Sequence, residues 1–191
     1  MHPLVLLAKD AVENYIKEGK IISVPEDFPN DFLKRRAGVF VTITKKSDFN
    51  QKERLRGCIG TYLPLRKNIA QEVIQNAISA ATQDLRFGPV QKEELPYLSY
   101  TVYILSEPKL VNDISELNPQ KYGIIVKTFP LSFNDDVVFN GHFVAKTGVL
   151  LPDLEGVDTI EKQILIALEK AGIDPSREKF LIYKFMVEKF K

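Results

Sequence analysis

The chain has 191 residues, of which 45% are hydrophobic and 27% are charged, and its formal net charge is +1. This balance is typical of a globular protein with one large domain or two lobes that share a core, and it excludes a disordered chain. A near-neutral charge argues against a strongly basic nucleic-acid binder, and no apolar run approaches the roughly 20 residues that span a bilayer.

The predicted elements combine helical and strand patterns without a βαβ rhythm, which indicates an α+β fold with a largely antiparallel sheet packed with helices. Helices are recognised by apolar residues at helical spacing, and strands by runs of β-branched and aromatic residues. In the first part of the chain we predict a helix over 3–18, a connector over 24–29, strands over 38–44 and 54–62, and a helix that begins at Asn68. In the second part we predict strands over 98–105 and 122–127, a hairpin over 137–144 and a strand over 149–151. A helix that begins at Asp158 and a strand over 180–190 complete the prediction.

The boundaries of these elements follow from capping and turn residues. Pro3 suits the first turn of a helix, and Gly19 suits its end. Asn68 and Gln71 have the spacing of a capping box. In the second half, Asp158 and Glu161 have the same spacing, Gly172 follows that helix as a stop, and an Asn-Gly pair at 140–141 predicts a type I′ hairpin turn.

Cysteine and histidine are scarce. Cys58 is the single cysteine, so an internal disulfide is excluded, and the two histidines, His2 and His142, lie far apart in sequence. We therefore predict no structural metal. Neither a P-loop nor a dinucleotide fingerprint is present, so no cofactor is predicted. The apolar run at the N-terminus is too short for a signal peptide, which favours a cytoplasmic protein.

Charge is distributed unevenly along the chain. Residues 1–67 hold 13 Lys or Arg and 8 Asp or Glu, which gives +5, and the remainder carries −4. The basic residues include a cluster at 34–36 and a pair at 45–46. These short clusters are interpreted as solvated surface turns, with binding of an anionic ligand as the alternative.

The segment 55–60, Leu-Arg-Gly-Cys-Ile-Gly, is the most unusual part of the sequence. If the strand is regular, Leu55 and Ile59 lie on its core face, while Arg56 and Cys58 lie together on the other face, with Cα atoms about 7 Å apart. Glycine within a strand often marks a bulge or a place where another group approaches the backbone. The two glycines that bracket the cysteine therefore predict an open patch.

Two interpretations of Cys58 follow. A neighbouring guanidinium favours the thiolate, so Cys58 could be a nucleophile or a redox thiol. Alternatively Cys58 packs as a small apolar side chain, as buried cysteines usually do. His142, directly after the hairpin turn, is either a proton carrier or a solvent-facing strand residue.

The order and spacing of four motifs resemble the AMMECR family over essentially the whole chain. The hexapeptide 55–60 matches the family signature. Residues 84–90, Asp-Leu-Arg-Phe-Gly-Pro-Val, resemble its second element and are followed by Glu-Leu-Pro at 94–96. Residues 148–152 resemble its Gly-Leu-Leu-Leu-Pro segment, with Val149 in place of the usual leucine, and residues 185–190 resemble its ending.

The resemblance implies a single domain over 1–191 in which two lobes surround a cleft. Both chain ends would form the larger lobe, the smaller lobe would be inserted, and the hexapeptide would lie at the cleft. It also implies protein partners of the Memo or radical-SAM families. Carried over position by position, the site residues are Arg56, Gly57, Cys58 and Gly60 with Asp84, Arg86 and Phe87. Asp84 and Arg86 are alternatively a structural ion pair that holds a turn.

Two functions remain open at this point. In one, the chain is a binding module for a protein partner or a small anionic ligand, and Arg56 and Arg86 bind that ligand through paired N–H donors. Such a module could be an accessory to a modification system. In the other it is an enzyme, with Cys58 as nucleophile or redox thiol, Arg56 as its cation and Asp84 or His142 as proton carrier. The binding function is favoured because only one reactive side chain stands out, and nucleic acid is not expected as a direct stable partner.

Overall fold

The structure is a computed structural model that describes residues 1–46, 53–129, 138–139, 142–143 and 145–191. Its helices and antiparallel sheets confirm the predicted α+β class. The α-helices are Pro3–Glu18 (α1), Asn30–Lys34 (α2), Ile69–Thr82 (α3) and Ile160–Ala171 (α4). The strands are Val39–Lys46 (β1), Glu53–Thr61 (β2), Leu98–Leu105 (β3), Lys109–Leu110 (β4), Gly123–Thr128 (β5), Val138–Phe139 (β6), His142–Phe143 (β7), Thr147–Leu150 (β8), Phe180–Phe185 (β9) and Val187–Phe190 (β10). Short 3₁₀ helices span Lys92–Tyr97 and Ile114–Glu116.

The described residues divide into two compact units. The first comprises Met1–Leu105 and Glu188–Lys191, and the second comprises Ser106–Val187. The cleft implied by the family resemblance stays a prediction.

The sheet of the first unit has the strand order β10-β3-β1-β2, which places β2 at its edge. Along β1, Val39, Val41 and Ile43 are fully buried and alternate with half-buried residues, as expected for a strand with one face in the core. The buried face of β1 and β3 forms one apolar cluster with residues of α1 and α3. The core of this unit therefore lies between the sheet and these two helices.

The predicted ends of α1 and α3 are confirmed. Gly19 ends α1 in the left-handed conformation at φ 71°, and the Asn68 side chain accepts a hydrogen bond of 2.9 Å from the Gln71 backbone N–H. His2 caps the start of α1 through Nδ1 and stacks on Phe190 with ring centroids 4.2 Å apart. His2 is thus part of the packing of the first unit.

The second unit has the strand order β4-β9-β5-β8 with α4 packed against it. Ile124 and Val126 of β5 and Leu150 of β8 form a core with Ala167 and Leu168 of α4. The predicted hairpin is present as the pair β6–β7, while its turn residues 140–141 lie outside the described residues.

Two predicted boundaries in the last third of the chain are wrong. Thr159, not Asp158, caps α4, because the helix begins at Ile160 and the Thr159 hydroxyl accepts a hydrogen bond of 3.2 Å from the Lys162 N–H. The strand predicted over 180–190 is two strands, β9 and β10, which pair in different sheets and are separated at Met186. No helix among the described residues has the length and apolarity of a membrane span.

Candidate functional site

A β-bulge interrupts the predicted alternation of the hexapeptide on β2. Ile43 of β1 lies opposite Gly57, but the next residue, Thr44, lies opposite Leu55, so Arg56 is an extra residue in β2. Leu55 consequently lies on the Thr44 side of the sheet and is 42% exposed. The prediction that Leu55 faces the core is wrong, because one inserted residue reverses the alternation on one side of the bulge.

The Arg56 guanidinium is held by a carboxylate far along the chain. Its Nε and Nη2 donate to the two carboxylate oxygens of Glu94 at 2.9 and 2.8 Å, and its Nη1 donates to the Gly88 carbonyl at 2.9 Å. The Arg56 and Glu94 side chains are only 15% and 16% exposed. Arg56 therefore fastens the segment after α3 to the sheet, and the paired donors proposed to read an anion are already engaged.

The Glu94 carboxylate accepts four hydrogen bonds from three residues. Besides Arg56, it accepts hydrogen bonds from Lys45 Nζ at 3.1 Å and from the Gln91 N–H at 2.9 Å. The Arg56 guanidinium is the main reason that the pKa of Glu94 falls from 4.5 to about 2. The carboxylate stays ionised across the physiological range, so the pair is permanent there.

The thiol of Cys58 lies on the other face of the sheet from this ion pair. Cys58 lies opposite Thr42, whose hydroxyl donates to Sγ at 3.2 Å. Arg56 and Lys45 both bind Glu94, so Arg56 lies on the same face of the sheet as Lys45. Thr42 and Lys45 are three residues apart on β1 and therefore lie on opposite faces. The prediction that Arg56 and Cys58 emerge side by side is wrong because of the bulge. Cys58 itself is half-buried.

Asp84 joins the edge of β2 to the turn after α3. Its Oδ2 accepts from the Cys58 backbone N–H at 2.8 Å and from Arg86 Nη2 at 2.7 Å, and its Oδ1 accepts from Arg86 Nε at 3.0 Å. The hydrogen bonds from Arg86 are the main reason that the pKa of Asp84 falls from 3.8 to about 2. These contacts support the structural interpretation of Asp84 and Arg86 as an ion pair that holds a turn.

Arg86 is electrostatically linked to Cys58. The pKa of Arg86 is raised, chiefly by its hydrogen bonds to Asp84 and to a smaller extent by its electrostatic interactions with Asp84 and Cys58. The Arg86 side chain is 56% exposed, whereas Asp84 beneath it is 7% exposed. The guanidinium thus lies at the surface on a buried carboxylate.

Residues 84–88, called here the 84–88 turn, are held by several side-chain contacts. The Phe87 ring centroid lies 5.5 Å from Arg86 Cζ and 6.0 Å from Arg56 Cζ, which are cation–π distances. The Phe87 N–H donates to the Asp84 carbonyl at 2.9 Å. On this framework the Leu85 side chain is 101% exposed.

The two glycines of the hexapeptide are required by close packing. A Cβ on Gly57 would lie 2.1 Å from the Ala80 carbonyl oxygen of α3, and a Cβ on Gly60 would lie 2.2 Å from the Phe40 ring. The prediction that they open a patch for another molecule is wrong, because neighbouring atoms of the chain itself already occupy the space beside both.

A family model named AMMECR1 matches residues 5–190 of the chain. The chain belongs to the AMMECR1 family. A Thermotoga maritima protein is 47% identical over 190 residues, covering 100% of the chain and 98% of that protein. A Clostridium acetobutylicum protein is 42% identical over 99% of the chain, which spans only 36% of that longer protein.

The fold of this AMMECR1-family chain is also found in a crystal structure, that of uncharacterized protein PH0010 from Pyrococcus horikoshii. The two have a TM-score of 0.80 and 32% sequence identity, with 97% of this chain and 88% of the other covered. The family and fold expected from the sequence are thus confirmed.

Sequence reasoning missed two members of the site in this AMMECR1-family chain. Glu94 appeared only as part of a motif, although its spacing from Gln91 is that of a capping box and signalled a structural carboxylate. No local signal assigned the Thr42 hydroxyl to Cys58, because that contact depends on strand register. The side chain of His142 is not among the described ones. Among the described residues, no group of three His, Cys, Asp or Glu could hold a metal ion.

Acid is expected to weaken both ion pairs of the AMMECR1 site. Because Asp84 and Glu94 have folded pKa values of about 2, below their ordinary 3.8 and 4.5, their stabilisation is complete above about pH 4.5 and is lost as the pH falls toward 2. We expect about 1–2 kcal/mol of unfolding free energy from each pair after solvent screening. Urea unfolding between pH 6 and 2 measures it. A double variant, Asp84→Asn with Glu94→Gln, should show a flatter pH dependence, and an unchanged one would contradict the assignment.

Proposed function

We propose that the chain is a binding module for a protein partner and that the 84–88 turn is its contact surface, with the hexapeptide as the scaffold beneath it. The observation that carries the proposal is the fully exposed Leu85 side chain next to the half-exposed Arg86 guanidinium. Burying a leucine side chain contributes about 1.5–3 kcal/mol, and arginine is enriched in interface hot spots.

The rigidity of the 84–88 turn supports the same function. The Asp84 carboxylate binds the Cys58 N–H, and the Gly88 carbonyl accepts from Arg56, so both ends of the turn are tied to β2. A preformed contact surface loses little conformational entropy on binding. A small anionic ligand is less well supported, because the paired donors of Arg56 and Arg86 already bind Glu94 and Asp84.

A matched pair of leucine variants tests this function. Leu85→Gln removes the exposed apolar contact, while Leu165→Gln makes the same change at a leucine of α4 that is 54% exposed. We expect wild type and Leu165→Gln to capture the same partner from native extract, and mass spectrometry identifies it. The purified Leu85→Gln protein should bind this partner at least about 10-fold more weakly than wild type, which corresponds to 1.4 kcal/mol. Equal binding by Leu85→Gln would contradict the proposal.

The same capture tests which partner family is involved. A protein of the Memo or radical-SAM families remains the partner we propose from the family resemblance, with the chain as an accessory to a modification system in the cytoplasm. Its recovery with wild type, and not with Leu85→Gln, would support that assignment.

The alternative function is an enzyme that uses Cys58 as nucleophile or redox thiol. It is favoured by the Thr42 hydroxyl, which donates to Sγ at 3.2 Å, and by the charge of Arg86, both of which stabilise a thiolate. Iodoacetamide labelling against pH discriminates the two functions. If half-maximal labelling of Cys58 in wild type occurs well below pH 8.5, about the ordinary pKa of a thiol, the result would favour the enzyme. If half-maximal labelling of wild type occurs at or above that pH, and the Cys58→Ser variant keeps partner binding, the results would favour the binding module.

A further inference from the structure

A second surface of the first unit collects basic residues that are distant in sequence. Arg36 donates from Nε to the Arg66 carbonyl at 3.2 Å and from Nη2 to the Pro64 carbonyl at 3.4 Å. The Ile69 N–H donates to the Arg35 carbonyl at 3.0 Å. The fold therefore brings the basic cluster at 34–36 against the loop that leads into α3.

Four cations of this surface, called here the basic rim, share two properties. All are exposed, and none forms an ion pair with a described residue, whereas Arg35 between them is bound by Asp31 and Glu188. The basic rim consists of Lys34, Arg36, Arg66 and Lys67. A group of like charges attracts an anionic partner.

A groove of about 470 Å³ is lined by Arg66, one residue of the basic rim. Its other lining residues are the aliphatic Ile21, Ile22, Val24 and Ile74 and the polar Ser23, Gln71 and Gln75. Ile21 is 63% exposed, and Leu65 beside Arg66 is 70% exposed. The surface thus combines positive charge, aliphatic walls and amide groups.

One side of the groove is formed by residues 21–24, which lie in a loop. Residues 20–24 belong to no helix or strand and make no backbone hydrogen bond to other described residues. Free backbone N–H and C=O groups beside apolar side chains can pair with an added extended peptide. A lipid head group does not pair with a series of backbone N–H and C=O groups as an extended peptide does. Nucleic-acid bases stack on aromatic side chains, and the lining residues include none.

We propose that this groove binds an extended peptide segment of a partner protein that carries acidic and aliphatic side chains. Acidic side chains would contact the basic rim, aliphatic ones would enter between Ile21 and Ile74, and the peptide backbone would pair with 20–24. The groove lies along the first half of α3, while the 84–88 turn follows the end of that helix, so the two surfaces are separate.

Selection from a displayed library of random peptides of about twelve residues tests the proposal. Wild type is compared with Arg66→Gln/Lys67→Gln, which removes two charges of the basic rim, and with Lys109→Gln/Lys162→Gln, which removes two exposed lysine charges of the second unit. The altered side chains make no hydrogen bond within the described residues, so all three proteins are expected to fold alike, as thermal unfolding checks.

We expect peptides enriched in Asp or Glu together with Leu, Ile or Phe. Synthetic copies should bind wild type and the lysine control equally, bind Arg66→Gln/Lys67→Gln at least 10-fold more weakly, and lose affinity with added salt. Ile21→Ser should weaken binding without changing the salt dependence. The proposal is overturned if no such peptides are enriched, or if the peptides bind the basic-rim variant as tightly as wild type. It is also overturned if oligo-dT or phosphatidylserine vesicles bind the groove more tightly than the peptides do. Leu85→Gln should leave this binding unchanged, which separates the result from that of the 84–88 turn.

Discussion

Gly57→Ala is expected to be among the most destabilising single methyl additions in the first unit. The new Cβ would lie 2.1 Å from the Ala80 carbonyl oxygen and 3.1 Å from its carbon, both backbone atoms of α3. A side chain could rotate away, but here the helix or the strand must move. We expect a loss of roughly 3 kcal/mol or more in unfolding free energy, measured by urea denaturation.

Gly88→Ala is the matched control for this prediction. Gly88 lies on the 84–88 turn, does not require a positive φ, and has nothing within 4 Å of an added Cβ. The same methyl group should therefore change the unfolding free energy by no more than about 0.5 kcal/mol. Similar losses in the two variants would show that the close approach of β2 and α3 is not what requires glycine at 57.

Arg56→Ala is expected to lower the free energy of unfolding by a similar amount, because the Arg56 side chain holds the fold together. The change leaves the mostly buried Glu94 carboxylate with Lys45 and the Gln91 N–H alone, and it frees the Gly88 carbonyl. Removing one partner of a buried pair costs about 3–5 kcal/mol, and the partial exposure of this pair reduces our expectation to roughly 2–4 kcal/mol. Arg56→Lys should lose most of the same stability, because lysine has no two-donor fork.

A double-mutant cycle with Glu94→Ala isolates the pair. If the two side chains stabilise the fold through each other, the losses of unfolding free energy will not add. The loss in the double variant should be smaller than the sum of the two single losses, by about 1 kcal/mol or more. Additive losses would mean that Arg56 acts through other contacts. If Arg56→Lys also binds a partner more weakly, its loss of affinity must be compared with its loss of unfolding free energy. Only a loss of affinity in a folded variant would indicate a direct contact of Arg56 with the partner.

The exposed residues beside the hexapeptide change how its chemistry is interpreted. Arg56 and Asp84, two of the strongest sequence candidates, have their hydrogen-bonding groups engaged inside the fold. Leu85, the residue between Asp84 and Arg86, has a fully exposed side chain. The hexapeptide thus supports a contact surface that neighbouring residues present, and the roles of Cys58, Gly60 and Phe87 in binding or catalysis remain predictions.

Much of the fold could be predicted from local patterns. The ends of α1 at Pro3 and Gly19 and the start of α3 at Asn68 follow from the residues that suit those positions. The strand positions followed from β-branched runs, and the motifs indicated the family. The position of the α4 cap was wrong by one residue, because Asp158 and Thr159 are both good caps and the packed helix selects one of them.

The sequence by itself determined where most of the longer helices and strands form, where several of them end and which family the chain resembles, because these depend on residues a few positions apart. Tertiary structure alone decided that Arg56 lies in a bulge, that its guanidinium meets Glu94 across 38 positions, and that the Cys58 N–H meets Asp84 across 26. The physical reason is that the face on which a strand residue lies depends on the register with the neighbouring strand. That register is set by packing: β1 holds β2 on one side, and the Ala80 backbone of α3 leaves room at that point only for glycine.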